Sequence, residues 1–200
     1  MTATRNRSHD AKAKVRTAML EAAGELLIEH GYEGLTLAKV AKKVGFATTN
    51  IYRYFDSKDD LLYATIEDAF VEFGERLEHA YVSQTDPIER LLALGHAYVD
   101  FADEHPVPYT LMFVLKTDYL FSQRQVPGIG KLGYLTKAIE EGMTTGAIRQ
   151  VDAPALSHVL WGLLHGIVTL ADAMPLWDEY TKEAALHEAF KTIRLSLMCK

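Results

Sequence analysis

Residues 31–62 read GYEGLTLAKVAKKVGFATTNIYRYFDSKDDLL, and the fold turns on this stretch. Before it, Val15, Ala18, Met19, Ala22, Ala23, Leu26 and Leu27 recur at three- and four-residue steps, the spacing of one buried helical face. Gly31 stops that helix, and Tyr32 is expected to fold back onto it. Thr36 is placed to cap a second helix over 37–44. Gly45 breaks the chain again, and a third short helix fits 48–54. Ser57 with Asp60 three positions on reads as a capping box, which opens a long helix over about 58–82. Two short helices joined by Gly45-Phe46-Ala47-Thr48 have the length of a helix-turn-helix.

Outward from this stretch the periodicity stays helical. Asp86-Pro87 opens a helix reaching about Glu104, since proline suits a first turn. His105-Pro106 and Pro108 interrupt it, and a helix of roughly 107–116 follows. Residues 125–133 read as a turn-rich entry to a helix ending near Thr145. Asp152 caps an apolar helix to about Ala173, Pro175 stops it, and a last helix spans roughly 178–198. No segment alternates as a strand does, so the expected class is all-α.

The 200 residues carry a net charge of −6, which on average argues against nucleic acid. The average hides an asymmetry. Residues 1–58 hold 10 Lys/Arg against 6 Asp/Glu, and residues 59–200 hold 11 against 21. The basic end is the end with the helix-turn-helix, a hint of a nucleic-acid-facing domain.

Other features exclude. Cys199 is the single cysteine, so an intrachain disulfide and a cysteine zinc site are both ruled out. No apolar run approaches the length of a membrane span, and the first 20 residues lack the apolar core of a secretory signal. The expected location is the cytoplasm, with no membrane partner.

A helix in the major groove reads bases with short polar side chains, while hydroxyls and cations hold phosphates. Thr48, Thr49 and Asn50 suit bases. Thr36, Lys39, Tyr52, Arg53, Tyr54 and Lys58 suit the backbone, and Lys12, Lys14 and Arg16 could form an arm beside it.

Residues 16–62 resemble the DNA-binding domain of the TetR family of transcriptional regulators. The resemblance rests on 16–27, on Gly31-Tyr32-Glu33-Gly34-Leu35-Thr36-Leu37, on 40–46, and on Ile51-Tyr52-Arg53-Tyr54-Phe55-Asp56-Ser57-Lys58 with the acids and leucines that follow. It departs at Ala47, where the family usually caps the recognition helix with Ser or Thr. The resemblance implies a homodimer with a DNA-binding domain over 1–55 and an effector-binding and dimerisation domain over 56–200. It implies a near-palindromic double-stranded operator, with half-sites about 34–36 Å apart or a multiple of that. A small-molecule effector would release a repressor. Tyr54 would lean to DNA and Phe55 to the core.

The second part is weakly similar to a TetR C-terminal subfamily with a Trp-His-Gly signature, through Trp161-Gly162-Leu163-Leu164-His165-Gly166. Tyr98, Phe101, Tyr109, Met112, Phe113, Phe121, Tyr134, Trp161 and His165 form an aromatic set with a few polar tips, the lining small-ligand sites favour. The expected effector is apolar or aromatic, with no cofactor and no metal. Leu156, Val159, Leu160, Leu163 and Ile167 on one helix, and Leu186, Ala189, Phe190, Ile193 and Leu197 on the last, exceed what one internal face needs. Leu156, Leu160, Leu163, Ile167, Leu186, Phe190, Ile193 and Leu197 are the expected dimer contacts. Gly162 and Gly166 make a smooth stripe, either for a helix of the same subunit or for the partner.

Catalytic patterns fail. Gly128-Ile129-Gly130-Lys131-Leu132-Gly133 matches a dinucleotide fingerprint in letters only, since no strand precedes it. His158 and His165 share a helix face without a third ligand. The expectation is a regulator and not an enzyme, with a helical small-molecule-binding or catalytic protein as the alternative.

Overall fold

The computed structural model describes residues 2–114 and 127–197, with side chains from residue 11. The described helices are α1 (Thr2–Gly34), α2 (Leu37–Lys43), α3 (Thr48–Ile51), α4 (Lys58–Ser83), α5 (Pro87–Glu104) and α6 (Pro106–Phe113). After them come a 3-10 turn (Ile129–Gly133), α7 (Tyr134–Thr145), α8 (Ala153–Ala173) and α9 (Glu179–Leu197). The class is all-α.

The chain divides into two compact units. One comprises residues 1–71 with 105–127, and the other 72–104 with 128–200.

In the first unit α1 runs to Gly34 but breaks at Gly31, whose φ of 67° and ψ of 179° lie outside helical space. Only glycine reaches that conformation without a Cβ penalty. Gly45 does the same after α2 with φ 76°. Thr36 caps α2 as expected, its hydroxyl accepting from the Lys39 amide at 3.2 Å. The core gathers Met19, Ala23, Leu26, Leu27, Leu37, Val40, Ala41, Ile51, Phe55, Leu61 and Leu62, all buried. Tyr32 departs from expectation. Its side chain reaches from the last turn of α1 to the start of α4, where its hydroxyl donates to Asp59.

The Ser57 hydroxyl accepts from the Asp60 amide at 3.0 Å, while the Asp60 carboxylate reaches the Asp56 amide at 3.2 Å. The capping box is thus closed one residue earlier than its usual reciprocal partner. α6 packs on α1 in this unit, and Phe113 joins Phe70 and Tyr109 edge-on or tilted, at 6.1 and 5.4 Å between centroids.

In the second unit α5, α7, α8 and α9 pack around one another. Asp152 caps α8 through the Ala155 amide at 2.9 Å, and Asp178 caps α9 through the Thr181 amide at 2.8 Å. Two ion pairs fasten α9 to α5: Lys182 with Asp103, and Arg194 with Glu89 at 2.7 Å. Between them Phe190 enters the space left by Gly95, where an added Cβ would lie 2.7 Å from the ring.

α8 corrects one expectation. By length and composition it is apolar enough to cross a membrane, yet only 28% of its most apolar window is buried. The polar groups of Ser157, His158, His165, Thr169 and Asp172 interrupt that character, so the run never appeared unbroken in the sequence. The buried face is Ala153, Ser157, Leu160, Leu164 and Val168. Ala155, Val159, Gly162, Leu163, Gly166 and Leu170 lie opposite at helical spacing, without one charge.

Candidate nucleic-acid interface and sensing residues

α3 is held by one buried side chain, Ile51, which joins the core of the first unit. The rest of the short helix is thereby turned outward. Thr48 and Thr49 are exposed, Asn50 is half-buried, and Tyr52 and Arg53 are exposed just beyond the helix. Regular helix stops at Ile51 and a turn covers 52–54, so the expected helix of 48–54 is shorter than its reading. Ala47 is the N-cap, extended at φ −66° and ψ 143°, and its methyl offers the first amides no acceptor.

Around α3, Lys39 donates from Nζ to the Gly34 carbonyl at 2.7 Å. That tethers its ammonium beside Thr36 with two N–H groups to spare. Tyr54 is half-buried with the Lys12 ammonium 5.7 Å from its ring, and Phe55 is buried. The orientation expected of this pair, Phe55 inward, is what the fold has.

Two cations expected at phosphates have partners inside the unit. Lys58 donates from Nζ to the Tyr32 carbonyl at 2.9 Å and lies 3.5 Å from the centroid of that ring. Arg16 bonds Asp68 at 3.1 Å and sits over the Phe55 ring at 5.9 Å. Arg16 therefore points to α4 and not into an arm. Tyr32, Asp59 and Asp68 were missed as supports. A single sequence gives no sign that an acid 52 positions away will claim Arg16.

The aromatic set does not converge as one group. Tyr109, Met112 and Phe113 belong to the first unit. In the second, Tyr98 and Phe101 are buried against Phe73, with centroids 6.0 and 4.9 Å away. A 2.8 Å hydrogen bond joins the Tyr98 hydroxyl to Nδ1 of His165. The Trp161 ring, 6.0 Å from the imidazole, is exposed. Burial pulls the His165 pKa below its ordinary value, so the imidazole is neutral at neutral pH. Tyr134 stands apart, stacked on Tyr81 at 4.6 Å with its hydroxyl 3.2 Å from Glu78. Phe121 lies outside the described residues. Phe73 is the ring that links Tyr98 to Phe101.

A groove of about 480 Å³ in the second unit is lined by Glu72, Glu75, Arg76, His79, Ala80, Ala97, Asp100 and Glu104. It includes none of the aromatic set, and its acids suit no anionic ligand. Glu104 and Glu72 pair with Arg76 at 2.7 and 3.5 Å.

The expected dimer contacts separate into two groups. Leu160, Ile193 and Leu197 are buried in the protomer. Their faces of α8 and α9 are used by the chain's own core, which corrects the reading of them as surface. Leu156, Ile167, Leu186 and Phe190 are half-buried. Leu163 is 39% exposed and Val159, on the same face, 65%. An added Cβ at Gly162 or Gly166 would meet nothing within 4 Å, so no helix of the described chain crosses there.

Comparison with known proteins places these features. Residues 19–65 match the family described as bacterial regulatory proteins, tetR family. Residues 91–192 match the tetracyclin repressor-like C-terminal domain. The fatty acid metabolism regulator protein of Bacillus subtilis is 26% identical over 155 residues, covering 76% of this chain and 80% of that one. A helix-turn-helix transcriptional regulator of Mycobacterium tuberculosis is 25% identical over 151 residues, covering 72% of this chain and 63% of its own. The match therefore spans under two thirds of the mycobacterial protein. The structure of the Bacillus subtilis regulator FadR in complex with stearoyl-CoA shares the fold at a TM-score of 0.73 and 20% identity, covering 90% of this chain and 98% of that one.

A basic helix-turn-helix on an all-helical body defines a DNA-binding transcriptional regulator. The chain belongs to the TetR family. It is a ligand-responsive transcriptional regulator that binds operator DNA as a homodimer.

Proposed function

We propose that this regulator is a repressor that leaves its operator when it binds a long-chain acyl compound such as an acyl-CoA. The kinship with a fatty acid metabolism regulator carries the reading. The ring cluster of Phe73, Tyr98 and Phe101, with the neutral His165 bonded to the Tyr98 hydroxyl, supports it. That group combines apolar rings with one polar pair, which suits a ligand with a long apolar body and a single polar junction.

Residues 1–55 act as the DNA head and 56–200 sense and pair. Thr48, Thr49 and Asn50 read bases, and Thr36, Lys39, Tyr52, Arg53 and Tyr54 hold phosphates. We assign Lys58 to holding the turn between head and α4, because Tyr32 occupies its ammonium. Tyr98, Phe101, Trp161 and His165 serve the effector, and Tyr134 supports the fold through Tyr81. The dimer closes on the uncharged face of α8 that carries Val159, Gly162, Leu163 and Gly166. The protein works where its operator is, in the cytoplasm, and does so without turnover.

Selection of duplexes from a random pool by the full-length dimer tests the DNA half. It is expected to return a near-palindrome whose affinity falls steeply with salt. Asn50→Ala is expected to change base preference at one position of that site. Palmitoyl-CoA, CoA and palmitate are then titrated into the complex while fluorescence anisotropy is followed. Release by palmitoyl-CoA but not by CoA is expected. An intact complex with palmitoyl-CoA bound to the protein would defeat the effector reading.

A further inference from the structure

We propose that Gly24 is a positioning residue for operator binding: its missing side chain lets α6 lie directly on α1, and that contact sets the attitude of the DNA-reading head. The inference rests on operator binding alone and not on the identity of the effector.

Gly24 is buried in the middle of α1. Glycine is disfavoured inside a helix, so a packing reason is needed for it there. The reason is local. A Cβ at this position would lie 2.7 Å from Cγ1 of Val107, 3.2 Å from Cδ1 of Leu111 and 3.8 Å from Cγ2 of Thr65. Val107 and Leu111 are on α6, and Thr65 is on α4. Three helices of the first unit thus converge on one missing methyl group.

Neither of the two close neighbours on α6 yields easily, and the third, at 3.8 Å, is already in ordinary contact. Valine in a helix keeps essentially one rotamer, so Cγ1 has no low-energy alternative. Leu111 is fully buried. Thr65 is fixed by the hydrogen bond that its hydroxyl donates to the Leu61 carbonyl at 2.9 Å. A methyl group on residue 24 must therefore move α6 against α1 as a body. α1 carries Met19, Ala23, Leu26 and Leu27 into the core that holds α2 and α3. A displacement of α6 by a methyl's width reaches the recognition helix through packed side chains.

The test uses the full-length dimer and its selected operator. Gly24→Ala is expected to weaken operator binding by about tenfold, the scale of one overpacked methyl. Adding Val107→Ala removes the opposing methyls and is expected to restore parental affinity. A second measurement does not depend on Gly24→Ala folding. Spin labels on Glu33→Cys, in a Cys199→Ser chain, report the distance between the two heads. Val107→Ala alone is expected to broaden that distribution, because α6 then has room to shift on α1. Parental affinity in Gly24→Ala would overturn the proposal. So would a folded double variant that binds no better than Gly24→Ala, or an unchanged distance distribution in Val107→Ala.

Discussion

The ammonium nitrogen of Lys58 lies 3.5 Å from the ring centroid of Tyr32 and donates to the Tyr32 carbonyl oxygen at 2.9 Å. The first residue of α4 is thus fastened to the last turn of α1, on either side of the helix-turn-helix, while the Tyr32 hydroxyl is held by Asp59 in the next position. A charged hydrogen bond and a cation–π contact at a half-exposed site together contribute about 1–2 kcal/mol. Lys58→Met is expected to lower the melting temperature of the chain and to weaken binding to every duplex alike. The salt dependence decides its role. A lysine that also neutralises a phosphate lowers the slope of log K against log salt by about one when removed. The expected slope is the parental one, read from anisotropy titrations at several salt concentrations.

His165 makes the stability of the second unit depend on pH. Its folded pKa is pulled below the ordinary value of about 6.5 by burial. As pH falls through about 6.5 the unfolded chain takes up this proton first, so unfolding is favoured increasingly by acid. Above that pH the contribution of the neutral pair with Tyr98 is complete, and it is lost on acidification toward the lowered folded value. His165→Gln keeps a hydrogen-bonding side chain and removes the titration. Its melting temperature is expected to change less between pH 7 and pH 5 than the parent's, measured by circular dichroism across that range. Parallel curves for the two chains would show that His165 is not the group responsible.

Local physics was legible in the residue order, and long-range partnership was not. Gly31 and Gly45 declared their breaks because a positive φ admits little else. Thr36, Asp152 and Asp178 declared helix starts because the bond of a cap spans only three residues. Tyr32, Arg16 and Tyr134 were misplaced for the opposite reason. Their partners Asp59, Asp68 and Tyr81 are far along the chain, and no spacing rule connects them. α8 shows the same limit within one element. Its apolar positions exceed one face, but which of them the protomer buries depends on the helices beside it. Leu160 went inward and Val159 outward, one residue apart.

Ala47 leaves the recognition helix without a side-chain cap although its backbone already has the extended geometry a cap requires. Ala47→Ser places an oxygen within reach of the Thr49 amide two positions on, while the Asn50 amide already donates to the Ala47 carbonyl at 2.9 Å. The gain is expected to be about 1 kcal/mol, or several degrees in melting temperature if the head and body unfold together. Calorimetry of the two chains checks it. Melting at the parental temperature would mean that the Thr49 amide is already satisfied in solution.

Gly166 separates protomer stability from pairing. With nothing within 4 Å of its added Cβ, a larger side chain there costs the isolated protomer no contact. Replacing glycine inside a helix by a better helix former even favours the folded chain by roughly 0.5–1 kcal/mol. On a face where a second copy of α8 approaches, the same side chain holds the helices apart. Gly166→Leu is therefore expected to keep its helicity and melting temperature at high dilution while its dimer dissociation constant rises about tenfold or more, since overpacking typically costs 1–3 kcal/mol. Leu163→Glu, on the same exposed face, is expected to act in the same direction by burying a charge. Sedimentation velocity over a concentration series reads both. Operator affinity should fall in step with the monomer fraction, because a palindromic site needs two heads. Two variants that sediment as dimers at every concentration would place the pairing surface away from this face of α8.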